Sequence, residues 1–459
     1  MGSIEDRFVS YLSETTFDNI TQEAIEAARR SILDTLGVIV AGSNGEDIAS
    51  LLGLLQSLGG PAEATVLVHG MRLPVIHATW ANGAMARARE FDDSHDITGD
   101  HTSVPIMSAA LGIAELNTGV NGRDFLAAYV IAADFVSRLR MAARRKVGSS
   151  AFAANSFAPF SAAVAAGRLL GMKGEALHHT LGWAYAQCAG SVQLQQGGTS
   201  ALHIHHGLAA ATGVQAALLA RHGLPGTEEF LTGKFGYYNA YEGGNYDPDI
   251  LMDSLGKRFE ITNVSIKQYP SGRVTHGPID AALSLRDEEK IDPEEIVDIT
   301  VRYTKGGYNM TCEPADKRRV PTKVQHAKFS LYYNVACALA RGHVGLEDFT
   351  PEAIADEDVR SLAAKVNVVI DPEIKRVIPP GIVTVRLRDN RILQRTIEYP
   401  KGTPENPVTF GDCAMKFRQC LNFSAKPLEQ SKAEAVIDLV ASLESVKDFR
   451  VLSSLLIGG

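Results

Sequence analysis

Residues 297–303 read VDITVRY, and this short stretch decides how the chain divides. Val297, Ile299, Val301 and Tyr303 alternate with Asp298, Thr300 and Arg302, the period of a half-buried strand. Upstream the period is different. In residues 21–42, TQEAIEAARRSILDTLGVIVAG, Ala24, Ala28, Ile32 and Leu36 recur every four positions beside Ile25 and Leu33, with Thr21 placed as an N-cap and Gly42 as a stop. Residues 161–171, 183–192 and 207–220 carry Ala and Gly around much of a helical circumference, which suits helices packed closely among other helices. Downstream, residues 366–371 (VNVVID) form a short apolar run, and 382–399 (IVTVRLRDNRILQRTIEY) predict a hairpin turning at Asp389-Asn390. Helical patterns near 325–342 and 351–364 lie between these strands, and the chain becomes helical again from Asn406 to Leu456. The expected fold class is mainly α with an α+β second domain. Residues 1–265 with 402–459 form a helical domain, and 266–401 the smaller α+β domain.

A chain of 459 residues exceeds one compact core, which agrees with that division. Its net charge of −8 argues against nucleic acid or an anionic membrane as partner. No apolar run is long enough to span a bilayer, and the acidic opening MGSIEDRFVSYLSE does not read as a leader, so a cytoplasmic location is expected. The five cysteines are scattered and form no CxxC pair; reduced thiols are expected and no zinc site. Neither a GxGxxG nor a GxxxxGK[ST] loop nor a GxSxG elbow occurs, which removes the usual support for a nucleotide cofactor or a serine hydrolase.

The chemistry concentrates in residues 90–101, EFDDSHDITGDH. Five carboxylates (Glu90, Asp92, Asp93, Asp96, Asp100) lie there with His95 and His101. A helix is expected to follow, with Ser103 as N-cap and Pro105 in its first turn, so the backbone at Thr102–Ser103 can hold an anion. Crowded carboxylates raise one another's pKa, and a neighbouring imidazole trades protons near neutrality. Three readings stay open on these residues alone: an acid–base centre, a solvated acidic loop, or a metal site whose spacing matches no specific motif.

Two further groups qualify. His203, His205 and His206 open the small-residue helix expected at 207–220; successive histidines cannot all face one core, although His203 suits a buried histidine bonded to backbone. Lys267, Tyr269, Arg273 and His276 flank the Pro270-Ser271-Gly272 turn, which can present cations to a carboxylate or serve as a hinge. Tyr332 and Tyr333 lie in an expected helix, where core packing is the simpler role.

ANGAMARAREFDDSHDITGDHTSVPI (81–106), SIKQYPSGRVTHGPIDAAL (265–283) and AKFSLYYNVACAL (327–339), in this order, resemble the MmgE/PrpD family, with support from TSALHIHHGLAAATG (199–213). The resemblance covers nearly the whole chain. It implies a large helical domain with a smaller α+β lid and an active site between them. It also implies a homodimer and lyase chemistry on a small carboxylic acid, dehydration or decarboxylation, without a metal or organic cofactor. By position, Asp92, Asp93, Ser94 and His101 match the family's acidic loop and following histidine, and Glu90 stands where many members have Asp. Lys267 and His276 match the family's domain-junction segment, and Tyr332 an aromatic position near its site. Three positions depart: Phe152 and Ser200 replace an expected histidine and lysine, and Gly272 stands where some decarboxylases have a further histidine. Losing a cation and an imidazole favours a less anionic or more hydrophobic substrate than methylcitrate or cis-aconitate. Recruitment to isomerisation, or to a secondary-metabolite step on a larger molecule, and degeneration to a binding protein are the alternatives.

Overall fold

A computed structural model describes residues 2–143, 154–196 and 198–459. The chain forms two compact units, Met1–Val264 with Thr409–Gly459, and Ser265–Val408. The first is built from helices and the second carries the main sheet, so the chain is mainly α with an α+β second part. Among the described residues no helix is long and apolar enough to cross a membrane, and all five cysteines are buried and unbridged.

In the first unit, Thr21 caps helix Gln22–Gly42 by accepting a hydrogen bond from the Ala24 backbone N–H. Gly42 is the last residue of that helix, yet its decisive property is the missing side chain: a Cβ there would lie 1.8 Å from the Met85 carbonyl oxygen. The glycine expected as a stop therefore lets this helix lean on Val75–Arg87, backbone against backbone. The same device recurs in the small-residue stretch. Helix Ala201–Arg221 packs on Val75–Arg87 and Ala158–Leu169, and a Cβ on Gly207 would stand 2.2 Å from the Trp80 carbonyl oxygen.

Two expectations need correction here. The helix begins at Ala201, so the three histidines sit inside it rather than ahead of it, and Ser200 occupies its N-cap position. Residues 183–192 are helical only through Tyr185, after which the backbone turns. Composition alone does not distinguish a buried helix from a buried turn.

In the second unit, strand Ile296–Tyr303 pairs in parallel with Val366–Ile370 and antiparallel with Gly381–Leu387, which continues to Ile392–Ile397. The hairpin turns where expected, with Asn390 in the left-handed region at φ 68°. The face assigned to Val297 is wrong at that one residue. The register shifts between Ile296 and Asp298, so Ile296 is buried and Val297 is 36% exposed, while Ile299, Val301 and Tyr303 stay inward. Helices His276–Glu289 and Leu331–Arg341 complete the core, with Tyr333 fully buried in it.

Candidate active site

The solvated-loop reading of residues 90–101 is overturned by burial. Asp92, Asp93 and His95 have no exposed surface, Glu90 and Asp100 almost none, and Ile97 at 61% marks the outward tip. So much charge tolerates burial only when it is compensated. Arg87 supplies part of that compensation to Glu90 and Asp92, and Lys416 anchors the backbone of the loop. Arg87, on the last turn of Val75–Arg87, pairs with Glu90 and reaches Asp92 Oδ1 at 3.3 Å. Lys416, on helix Phe410–Leu421, lies over the Phe91 ring, donates to the Phe91 carbonyl at 2.8 Å and pairs with Asp34 at 2.7 Å. Glu90 takes a positive φ of 56°, which turns the chain sharply into the acidic pair.

Asp92 and Asp93 then point to different partners. His101 Nδ1 lies 2.8 Å from Asp92 Oδ2, and the His101 side chain keeps 16% of its surface exposed. Asp93 Oδ1 accepts the Ser103 backbone N–H at 3.1 Å, and its other oxygen accepts the Ser103 hydroxyl. This corrects the expected cap. Thr102 occupies the N-cap position without a side-chain cap bond, Ser103 is the first helical residue, and Asp93 satisfies its N–H. The Ser103 end of the helix is thereby occupied by the protein's own carboxyl group. Burial, opposed by the bonds from Ser103 and assisted by the nearby Asp34 and Asp92 carboxylates, pushes Asp93 up to about 7. Burial likewise raises Asp100 to about 6, against the pull of Arg140 and His95.

Beside His101, the His206 ring stands edge-on at 5.5 Å. Burial, with Arg87 and His101 close by, holds its imidazole well below the ordinary histidine range, so it is neutral near pH 7. Ser94 is buried in the short strand Ser94–His95. His203 Nε2 lies 3.0 Å from the Glu46 carbonyl, and Ser200 Oγ donates to Asp47 at 2.5 Å, so both tie the helix start to the loop at 46–47. Phe152 falls outside the described residues.

In the second unit, Lys267 and His276 are fully buried and Arg273 nearly so. His276 begins its helix, with the Tyr269 ring 5.1 Å away and tilted. Beside Gly272 the space is filled by Phe329: a Cβ at 272 would meet that ring at 2.9 Å. Tyr332 is buried beneath the Arg319 guanidinium, 4.1 Å from its ring, and burial raises its hydroxyl to about 12.

Among the described residues one trio brings metal-type ligand atoms together, His343, Glu347 and Asp348. The first two are exposed, and Asp348 already pairs with Arg341.

Residues 6–249 match the MmgE/PrpD N-terminal domain and residues 269–444 the MmgE/PrpD C-terminal domain. The chain belongs to the MmgE/PrpD family. Human cis-aconitate decarboxylase is 27% identical, over all of this chain and 95% of its own length. A cis-aconitate decarboxylase-like protein of Aspergillus oryzae is 24% identical over all of this chain and 98% of its own. The 2-methylcitrate dehydratase of Cupriavidus necator is also 24% identical, over 83% of this chain and 82% of its own.

Arg87, Asp34 and Lys416 were not singled out by sequence. Arg87 had a usable signal, five residues before Asp92 at a helix end, whereas Lys416 lies 325 residues beyond Phe91 and gave none.

Proposed function

We propose that the protein is a cofactor-independent lyase that removes water or carbon dioxide from a small carboxylic acid by proton transfer beside a carboxylate. One observation carries the reading: His101 keeps contact with solvent while its Nδ1 is 2.8 Å from the buried Asp92. A carboxylate so placed keeps the facing nitrogen protonated and fixes the ring, leaving Nε2 to exchange a proton with substrate. Arg87 serves two carboxylates, Glu90 and Asp92, so the trio carries one net negative charge that stabilises the imidazolium formed when His101 takes a proton.

The names of the relatives support this class, since they include decarboxylases and a dehydratase. Within it we assign a citrate-like or alkyl-substituted polycarboxylic acid as substrate. Lys267 and Arg273 are assigned to a substrate carboxylate, and His276 to proton transfer. Because Asp93 occupies the Ser103 N–H, that N–H is not assigned to the substrate. A second reading, isomerisation or another step on a less anionic metabolite, draws support from Ser200, which stands on Asp47 and supplies no positive charge.

Incubation of the purified protein with a panel of alkylcitrates and aconitates, read by mass spectrometry, tests the proposal. Loss of water or of carbon dioxide that disappears in His101→Ala is the expected result. Turnover unaffected by that substitution, or a substrate that in deuterium oxide loses neither water nor carbon dioxide and gains only the mass of an exchanged deuterium, overturns it.

A further inference from the structure

Two buried polar atoms beside His101 have no role in the proton transfer just described. His206 is 3% exposed, and its Nδ1 stands 2.9 Å from the Leu202 carbonyl oxygen one turn back along the helix. A carbonyl only accepts, so Nδ1 carries the hydrogen and the neutral ring presents a lone pair at Nε2. Among the described residues that nitrogen has no hydrogen-bond partner. The Thr102 hydroxyl, 1% exposed, has none either.

Both residues line one small cavity, which they share with Asp100, His101, Ser161 and the apolar residues Pro105, Val136 and Ala158. Its volume of about 10 Å³ admits a single water-sized group and not a whole carboxylate. The chemistry of the wall narrows the occupant further. An imidazole lone pair repels a carboxylate oxygen and accepts from a hydroxyl, while the Thr102 hydroxyl can give a hydrogen to the oxygen of the same group. A buried acceptor and a buried hydroxyl left over at one small void are the arrangement expected where a ligand group completes them.

We propose that His206 Nε2 and Thr102 Oγ1 form a receptor for one hydroxyl of the substrate, so that the site selects a hydroxy acid over its deoxy counterpart. The inference rests on the carboxylic-acid reading above and adds to it a specificity-determining pair. It also accounts for a histidine buried beside His101 in the neutral form, since a protonated His206 would lose the lone pair that the hydroxyl needs.

Citrate and tricarballylate differ only in that hydroxyl and serve as probes, with Kd read by isothermal titration calorimetry on the full chain. The unaltered protein is expected to bind citrate about tenfold or more tightly, the effect of one well-made hydrogen bond in a dry site. His206→Phe removes the acceptor at similar volume, and Thr102→Val removes the hydroxyl at nearly constant shape. Each is expected to erase the preference while leaving tricarballylate binding within about threefold. Should His206→Phe fail to fold by circular dichroism, Thr102→Val decides alone. Equal binding of both acids, or a preference that survives substitution, overturns the receptor and leaves the lyase reading intact. Binding of neither acid overturns the polycarboxylate reading and the receptor with it.

Discussion

Asp92 and Asp93 are adjacent, equally buried and chemically identical, yet they face different parts of the helical unit. Asp92 faces Arg87 and His101, a cation and an imidazole that retains access to solvent. Asp93 faces Ser103 and holds the first turn of the following helix through two hydrogen bonds. The first side of the loop has a group able to exchange protons with a ligand; the second has its polar atoms turned onto the protein. The difference shows that carboxylates clustered in sequence need not share one task. In the proposed mechanism one side orients His101, and the other fixes the backbone of the following helix.

The sharpest way to break this comparison is at His101. His101→Ala is expected to lower kcat by about 10²–10⁴-fold, the usual worth of a general acid–base group, with the circular dichroism spectrum unchanged. Asp92→Asn keeps the shape but removes the charge that stabilises the imidazolium; a drop of about 10²-fold in kcat with little change in KM is expected. On the other side of the loop the readout changes from rate to stability. Asp93→Ala leaves the buried Ser103 N–H and hydroxyl without their acceptor and should cost about 2–4 kcal/mol in chemical denaturation.

Asp93→Asn sharpens the same point because it mimics the protonated acid, and should cost about 1 kcal/mol or less at pH 7. The folded carboxyl titrates at about 7 against an ordinary 3.8, so the folded state binds the proton more tightly than the unfolded state. Its contribution to stability is full below pH 3.8 and is lost as the pH rises to about 7. Thermal denaturation across that window should therefore be less pH-dependent in Asp93→Asn than in the parent. The smallest effect is expected at Ser200→Ala, which removes one partly exposed hydrogen bond to Asp47 and should cost under about 1 kcal/mol. A large loss of turnover there would place the helix start in the site and blur the contrast between the two sides.

Sequence alone determined the period of each segment. Four-residue recurrence marked the helices, alternation marked Ile299, Val301 and Tyr303, and the Asp389-Asn390 turn marked the hairpin, because these depend on local backbone geometry. It also marked residues 90–101 as unusual, since no other stretch gathers so many carboxylates beside histidine. Only the tertiary structure decided which partner each group met. The bulge that turned Val297 outward, Asp93 on the Ser103 N–H, Lys416 on the Phe91 carbonyl and the leftover nitrogen of His206 depend on chain segments far apart or on a register local pattern does not encode. Burial converts those meetings into chemistry, because a charge out of water takes its properties from the few groups within reach.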